Sequence, residues 1–416
     1  MDELAKQFLH LIRLTADPRG ITSAFCQTLD KNLPTHLLAV GKAAIPMTHA
    51  AQTQLTEKFD SSLVISTPPP KAIRFSTDTE FHIADHPLAT ERNLHAAQRT
   101  LKFVRSLPQG ARLLVLLSGG GSALLTLPAP PLTLVDIRTV TDALIRAGCN
   151  IHELNTVRKH IEQLKGGRLA QHSSAGDVLV VAVSDVVGDD LSIIASGPFA
   201  PDTSTFSDAL DVLRDHGCLN ASDAVTRFLE QGAAGKHEET PKPGDSAFDS
   251  ITPLVILFNG AAVNAAEDVL ESHNYSPCTE TDSTAEASEL GAHAANLLSE
   301  HDSVVIGGEP VVTGIKPGSS GGPMQEAALA AALALENRDH DWLVFAFATD
   351  GVDGPTSAAG AVINPADLQQ ARTESLPLEV ALAEHNSHTI LAQMNCLIET
   401  GPTGTNINDI LVVVRR

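Results

Sequence analysis

Residues 112–125, RLLVLLSGGGSALL, decide the fold. Positions 112–118 show no alternation of apolar and polar side chains, so they read as a strand covered on both faces. Gly119, Gly120, Gly121 and Ser122 form its exit loop, and a helix-forming stretch follows. The same unit recurs on either side. LLAV at 37–40 leads into GKAAIPMTHAAQTQL, SLVIS at 62–66 is closed by Pro68, Pro69 and Pro70, positions 88–107 read as helix, and DVLVVAVS at 177–184 runs into DVVGDD. Strand, glycine-bearing loop and helix in alternation predict a parallel α/β sheet with helices on both faces.

The rhythm breaks at 233–250, AAGKHEETPKPGDSAFDS, which is charged, aperiodic and rich in glycine and proline. It restarts with LVILFN at 254–259, SVVIGGE at 303–309, WLVFAFATD at 342–350 and LVVV at 411–414, with MQEAALAAALAL as a strong helix between. The expected organisation is α/β in two domains. A larger Rossmann-like, parallel-sheet domain covers 1–235, an exposed loop or linker covers 236–250, and a smaller α/β domain covers 251–416. Ligands in open α/β sheets bind outside the carboxyl ends of strands. Both halves place Gly/Ser/Asp loops there, so an interdomain active cleft is expected.

With 416 residues and 43% hydrophobic side chains, the chain has enough apolar material for two cores. Its 28 Lys+Arg against 50 Asp+Glu leave a net charge of −22. That balance excludes a general nucleic-acid or anionic-membrane binder, because such partners need a positive field. A small anion held by a few local cations stays compatible with it. No apolar run is long enough to span a bilayer, and MDELAKQFLHLIRL reads as an amphipathic helix rather than a secretion signal. Cys26, Cys149, Cys218, Cys278 and Cys396 form no CxxC pair, and this dispersal predicts a reduced, cytoplasmic setting.

The chemistry-bearing residues gather at the strand exits. Gly119, Gly120, Gly121 and Ser122 can present consecutive backbone N–H groups to an anion, although tight packing alone also accounts for such glycines. Lys42 follows Gly41 at a helix start, where it either faces a bound anion or points into water. In NTVRKHIEQLKGGRLA, Val157, Ile161 and Leu164 make an apolar stripe. Arg158, Glu162 and Lys165 then share another helical face, as a phosphate funnel or a solvated ion-pair face. In SDVVGDDLSIIASGP, Asp185, Asp189 and Asp190 crowd one strand exit, suited to Mg²⁺, to accepting a hydroxyl proton, or to an acidic turn. Ser196 and Gly197 add a small-residue contact. The second half offers IGGEPVVTG, KPGSSGGPMQEA, FATDGVDGPTSAAG and GPTGTNIND, with Glu309, Asp350, Asp353, Asn406 and Asp409. His86 and His160 read as hydrogen-bonding residues.

Taken together, VGKAA, LLSGGGSALL, HELNTVRKHIEQLKGGRLA, SDVVGDDLSIIASGP, TPKPG, GGEPVVTG, TDGVDGPT and GPTGTNIND resemble the glycerate 2-kinase family, whose second domain is of the MOFRL type. The likeness runs from about residue 4 to the carboxyl end. It implies transfer of the ATP γ-phosphoryl group to D-glycerate, generally at its 2-hydroxyl, with Mg²⁺. It implies Lys42, Arg158 and Asp189 as catalytic groups and Asp185 and Asp189 as metal ligands. Gly119, Gly120, Gly121, Ser122, Asn155, Lys159, Ser196, Glu309, Thr313, Lys316, Asp350 and Asp353 are the implied substrate or phosphate contacts. The implied partners are D-glycerate and ATP, with neither nucleic acid nor membrane, and a homodimer is compatible with this reading.

One segment departs from the family. Where relatives have a GRGGRNQE-like stretch, this chain has GSSGGPMQE, so Ser320 and Pro323 stand where arginines are expected and Met324 replaces an asparagine. Either Lys316, Arg158 or Lys159 then supplies the missing charge, or substrate and rate differ. Two other functions compete. The first is a hydroxypyruvate reductase using NAD(P)H, against which the missing GxGxxG turn counts. The second is a noncatalytic anion-binding relative.

Overall fold

The computed structural model describes residues 2–30, 32–55, 59–69, 73–75 and 79–416. Pro70, read as part of the break after the second strand, lies outside them. Two compact units interleave along the chain. One gathers Pro18–Ser184 and Asp189–Ile256. The other gathers the amino-terminal residues through Asp17, Asp185–Gly188 and Leu257–Arg416.

The first unit is built on a six-stranded sheet in the order β3-β2-β1-β4-β5-β6. Its strands are β1 (Thr35–Val40), β2 (Phe59–Ser66), β3 (Thr79–Ile83), β4 (Arg112–Leu117), β5 (Asp177–Val183) and β6 (Ile251–Leu257). Strands β1 to β5 pair in parallel, with Val40 opposite both Leu117 and Ile65. All six residues of β1 and all six of β4 are buried, which is why neither strand alternates. From β1 the chain winds outward through β2 and β3, and from β4 it winds the other way. The β1/β4 junction is therefore the switch point, where the crevice of a doubly wound sheet opens. Both strands leave it through glycine, at Gly41 and Gly119.

A helical group lies beside this sheet. Leu134–Arg146, Ile151–Ile161, Phe206–Asp215 and Asp223–Ala233 share a core that includes Leu144, Val157, Ile161, Phe206, Leu213 and Leu229. The helix Ile151–Ile161 starts in a capping box made by Asn150 and Glu153. It is shorter than its apolar stripe suggested. Glu162 is already extended, with φ −129° and ψ 152°, because its carboxylate turns inward to accept from Leu127 N and Lys165 Nζ. Arg158, Glu162 and Lys165 therefore do not share one helical face.

The 236–250 stretch, expected to be an exposed linker, is fastened along the first unit. Thr240 is buried and its hydroxyl donates to Asp202 Oδ2 at 2.9 Å. Lys242 Nζ donates to the Thr240 hydroxyl at 2.8 Å, and Arg168 donates to the Glu238 carbonyl at 2.9 Å. Its charges serve internal pairs, and the boundary between units falls later, at Ile256.

The second unit holds a mixed sheet in the order β11-β10-β9-β12-β8-β7. The strands are β7 (Pro277–Ser283), β8 (Ser303–Gly308), β9 (Trp342–Ala348), β10 (Gly360–Ile363), β11 (Leu397–Ile398) and β12 (Asp409–Arg415). Only β7 and β8 pair in parallel; the remaining neighbours are antiparallel. The helix Pro323–Leu335 is buried almost all round, as its alanine-rich composition requires. Small residues let it approach the helix Ala287–Leu297 closely: a Cβ on Gly291 would sit 2.2 Å from the Ala327 carbonyl oxygen. The amino-terminal helix Glu3–Thr15 belongs to this unit, not to the first. Its stripe of Leu4, Ala5, Phe8 and Ile12 is buried, and the Phe8 ring lies 5.4 Å from that of Phe345. Among the described residues no helix is long and apolar enough to cross a membrane, and all five cysteines are free.

Candidate active site

The switch-point crevice of the first unit is shaped by glycines that admit no side chain. Gly41 has φ +128°, and a Cβ there would lie 2.1 Å from Ser118 Oγ. This closeness lets Ala43 N donate to Ser118 Oγ at 3.0 Å and Lys42 N to the Gly119 carbonyl at 2.9 Å. Lys42 is thereby laid against the loop after β4. A Cβ on Gly120 (φ +84°) would come within 3.4 Å of Lys42 Cγ and 3.1 Å of the His86 ring. None of the backbone N–H groups of Gly119, Gly120, Gly121 and Ser122 meets an acceptor among the described residues. Four consecutive donors in a partly buried loop beside a lysine make a cradle for anionic oxygens.

A polar chain closes one side of the cradle. Ser122 Oγ lies 2.8 Å from Ser196 Oγ, which donates to Asn155 Oδ1 at 2.8 Å. Asn155 is buried and its Nδ2 has no partner. Ala195, Ser196 and Gly197 all have positive φ, between 53° and 63°, a costly run for two non-glycine residues. It is held by Gly166 N to Ser196 O (3.0 Å) and Gly167 N to Gly197 O (2.7 Å), both glycines being left-handed as well. The glycine pair in LKGGR thus stitches Ser196 into place.

The cations of this region divide. Arg158 is half-buried, its guanidinium makes no hydrogen bond among the described residues, and burial pulls its ionisation constant down against the opposing charge of Glu162. Lys159, expected at the phosphate, is instead buried with its ammonium 3.2 Å from Asp202 Oδ1. Lys165 is also buried, 2.8 Å from Glu162 and donating to the Ser122 carbonyl at 2.7 Å, so it holds the cradle from behind. His160 Nδ1 donates to the Thr156 carbonyl at 2.7 Å, its Nε2 lies 3.2 Å from Glu239 Oε2, and burial lowers its pKa.

The expected pair Asp185 and Asp189 falls into different units. Asp189 has φ +55°, and Asp190 caps its own turn by accepting from Ser192 N at 2.7 Å. In the second unit Asn406 Nδ2 reaches Asp185 Oδ2 at 3.5 Å.

Acids also gather in the second unit. Asp409, at the start of β12, is driven well above the carboxylate range by burial and by the charges of Asp353, Asp350 and Glu309. Its carboxylate makes no hydrogen bond among the described residues. Asp353 has a separate duty: it accepts from Met324 N (3.0 Å), Gln325 N (2.8 Å) and Gln325 Nε2 (2.9 Å), capping the helix Pro323–Leu335 from outside. Burial pushes its pKa up to about 6. Asp350 Oδ1 accepts from Val352 N at 2.9 Å; Glu309, Thr313 and Lys316 are exposed, and Thr313 N donates to Glu286.

Sequence reasoning missed Ser118 and Gln325, the side chains that fix the first cradle and Asp353. Ser118 had a signal, as the hydroxyl between buried strand and first glycine; Gln325 had none beyond its place at a helix start.

Residues 9–230 match the family model described as a domain of unknown function (DUF4147), and residues 302–409 match the MOFRL family. The D-glycerate 2-kinase of Thermotoga maritima is 35% identical over 99% of this chain and 98% of its own. The glycerate 2-kinase of Pyrococcus horikoshii is 34% identical over 91% of this chain and 87% of its own. A relative from Agrobacterium vitis that carries a hydroxypyruvate reductase name is 34% identical over 80% of this chain and 76% of its own. The crystal structure of glycerate kinase from Thermotoga maritima superposes with a TM-score of 0.87 at 32% identity, covering 100% of both chains. By family models, near-full-length relatives and fold, this chain belongs to the glycerate 2-kinase family, with a MOFRL domain in its second unit.

Proposed function

We propose that this protein transfers the γ-phosphoryl group of ATP to D-glycerate, at the 2-hydroxyl, giving 2-phospho-D-glycerate and ADP. The observation that carries this reading is the row of four unpartnered N–H groups at 119–122 with Lys42 laid alongside. Phosphoryl transfer is catalysed chiefly by positioning and by charge stabilisation. Here the amides and Lys42 hold phosphate oxygens, Asn155 offers its buried Nδ2, and Arg158 brings five unsatisfied donors to the developing charge. Asp189 orients the substrate hydroxyl and accepts its proton.

Mg²⁺ fits the chemistry of the chain. Half-buried Asp409 stands among like charges with no hydrogen bond to its carboxylate, an arrangement that a hard divalent cation would relieve. Asp185 and Asp189 are the ligands we assign to it, and the ion, when bound, would supply positive charge to the phosphate oxygens.

The test is purified protein with ATP, Mg²⁺ and D-glycerate, beside a parallel assay with NADH and hydroxypyruvate. ATP-dependent formation of 2-phosphoglycerate is the expected result. NADH oxidation without phosphoryl transfer would replace the kinase reading with the reductase one. Chelation should abolish turnover, and Asp185→Asn or Asp189→Asn should raise the Mg²⁺ concentration needed for half-activation.

A further inference from the structure

Away from the cradle, three side chains of different chemistry converge where the helical group of the first unit closes. Cys149 precedes the helix Ile151–Ile161, Glu153 lies in its first turn, and His216 caps the end of Phe206–Asp215. One ligand atom from each lies within 4.8 Å of the other two. His216 Nε2 is 3.1 Å from Glu153 Oε2, close to the ~3.3 Å that separates nitrogen and oxygen ligands on one tetrahedral zinc ion.

The imidazole supplies the second, independent observation. His216 Nδ1 faces the Ala147 carbonyl at 3.4 Å while Nε2 faces the Glu153 carboxylate. A neutral ring has one N–H and cannot satisfy two acceptors. A cation between Nε2 and the carboxylate leaves the ring proton on Nδ1, facing the Ala147 carbonyl. A ligand histidine that donates its other N–H to a backbone carbonyl has this arrangement. Glu153 is anchored too, because Oε2 accepts from Asn150 N at 2.9 Å in the capping box. Cys218, two residues beyond His216, lies near enough to Cys149 to influence it electrostatically.

We propose that Cys149, Glu153 and His216 form a zinc-class divalent metal site, with water as fourth ligand. Thiol, imidazole and carboxylate together suit Zn²⁺ and disfavour Mg²⁺, which takes oxygen ligands. Binding releases the Cys149 thiol proton to the medium, since the thiolate is the ligand. The ion ties the start of the helix that carries Asn155 and Arg158 to the end of Phe206–Asp215. The site does not depend on the function proposed above.

Chelator-stripped full-length protein, titrated with Co²⁺ alone, should develop one equivalent of thiolate-to-cobalt charge-transfer absorption, bleached by Zn²⁺. Cys149→Ser should abolish the band, and His216→Gln should weaken Co²⁺ binding by at least ~10-fold, the scale at which losing even a supporting contact is felt. Circular dichroism of each metal-free variant confirms that it folds. No thiolate band in the parent, or the same band and affinity in Cys149→Ser, overturns the site.

Discussion

Replacing Lys165 by methionine is a sharp test of how the site is held together. Sequence places Lys165 among the cations that could meet a phosphate, whereas the structure places it behind the cradle. Lys165 and Glu162 are each about 1% exposed and 2.8 Å apart, and Lys165 also donates to the carbonyls of Ser122 and Leu125. Removing one partner of a buried pair leaves the other charge uncompensated and costs about 3–5 kcal/mol. The first unit contains roughly 235 residues, for which the unfolding entropy gives roughly 0.5 kcal/mol per degree. Lys165→Met should therefore lower the first unit's unfolding transition by about 6–10 °C, as read by differential scanning calorimetry. Glu162→Gln in the same background should recover part of the loss, because it removes the stranded charge. At temperatures where the variant is folded, KM for ATP should rise through displacement of Ser122. A transition within 1–2 °C of the parent, with kcat collapsed, would refute the structural assignment and return Lys165 to the phosphate.

Further outcomes follow from the same geometry. Lys42→Met should lose at least ~10-fold in kcat/KM, measured by coupled ADP release, as its proposed contact to substrate oxygens requires. Arg158→Met should change stability by less than ~1 kcal/mol, as no hydrogen bond is lost, and depress kcat by roughly 100-fold; Lys316→Met should leave kcat near parental. Asp353 gives a pH signature. Its folded pKa of about 6 stands above the unfolded value of 3.8, so its contribution is full below pH 3.8 and is lost as pH rises through 6. Between pH 4 and 7 the parent should lose roughly 2 kcal/mol relative to Asp353→Asn in urea titrations, and equal slopes for the two would contradict the buried-carboxylate assignment.

Much of this molecule was legible because its informative residues act locally. Buried parallel strands announce themselves by continuous apolar runs, and β1, β4 and β5 lie where LLAV, RLLVLLS and DVLVVAVS placed them. Gly41 and Gly119 mark the strand exits for a steric reason that composition exposes directly. What stayed hidden depends on distant partners. Helical spacing in NTVRKHIEQLK could not reveal that Glu162 leaves the helix to meet Lys165, nor that Lys159 finds Asp202 forty-three residues on. The amphipathic stripe of Glu3–Thr15 was visible, but not the sheet it would cover. Short strands such as β10 and β11, with four and two residues, carry too little periodicity to be read at all.

The departure in GSSGGPMQE gains a physical account from the helix it begins. Pro323 occupies the first helical turn, where its missing N–H is no loss. Met324 is about 1% exposed and packs in the apolar core, while its N–H goes to Asp353. Ser320 N is taken by Asn386 Oδ1 at 3.0 Å, and His388 N donates back to the Ser320 carbonyl. The segment is thus consumed in starting and seating a helix, and its one cation, Lys316, stands exposed on the preceding loop. Bringing that side chain to a phosphoryl group would freeze a long, freely rotating chain at a cost near 2 kcal/mol. Arg158 faces a smaller penalty. Its helix is locked by Val157 in the core, by Lys159 on Asp202 and by Asn155 on Ser196, so its backbone is fixed and its half-buried side chain has less freedom to lose than exposed Lys316. A donor that is ordered before substrate arrives stabilises developing charge at little further cost. On that ground we propose Arg158, rather than Lys316, as the cation that meets the developing charge, on a helix whose neighbouring positions are each anchored elsewhere.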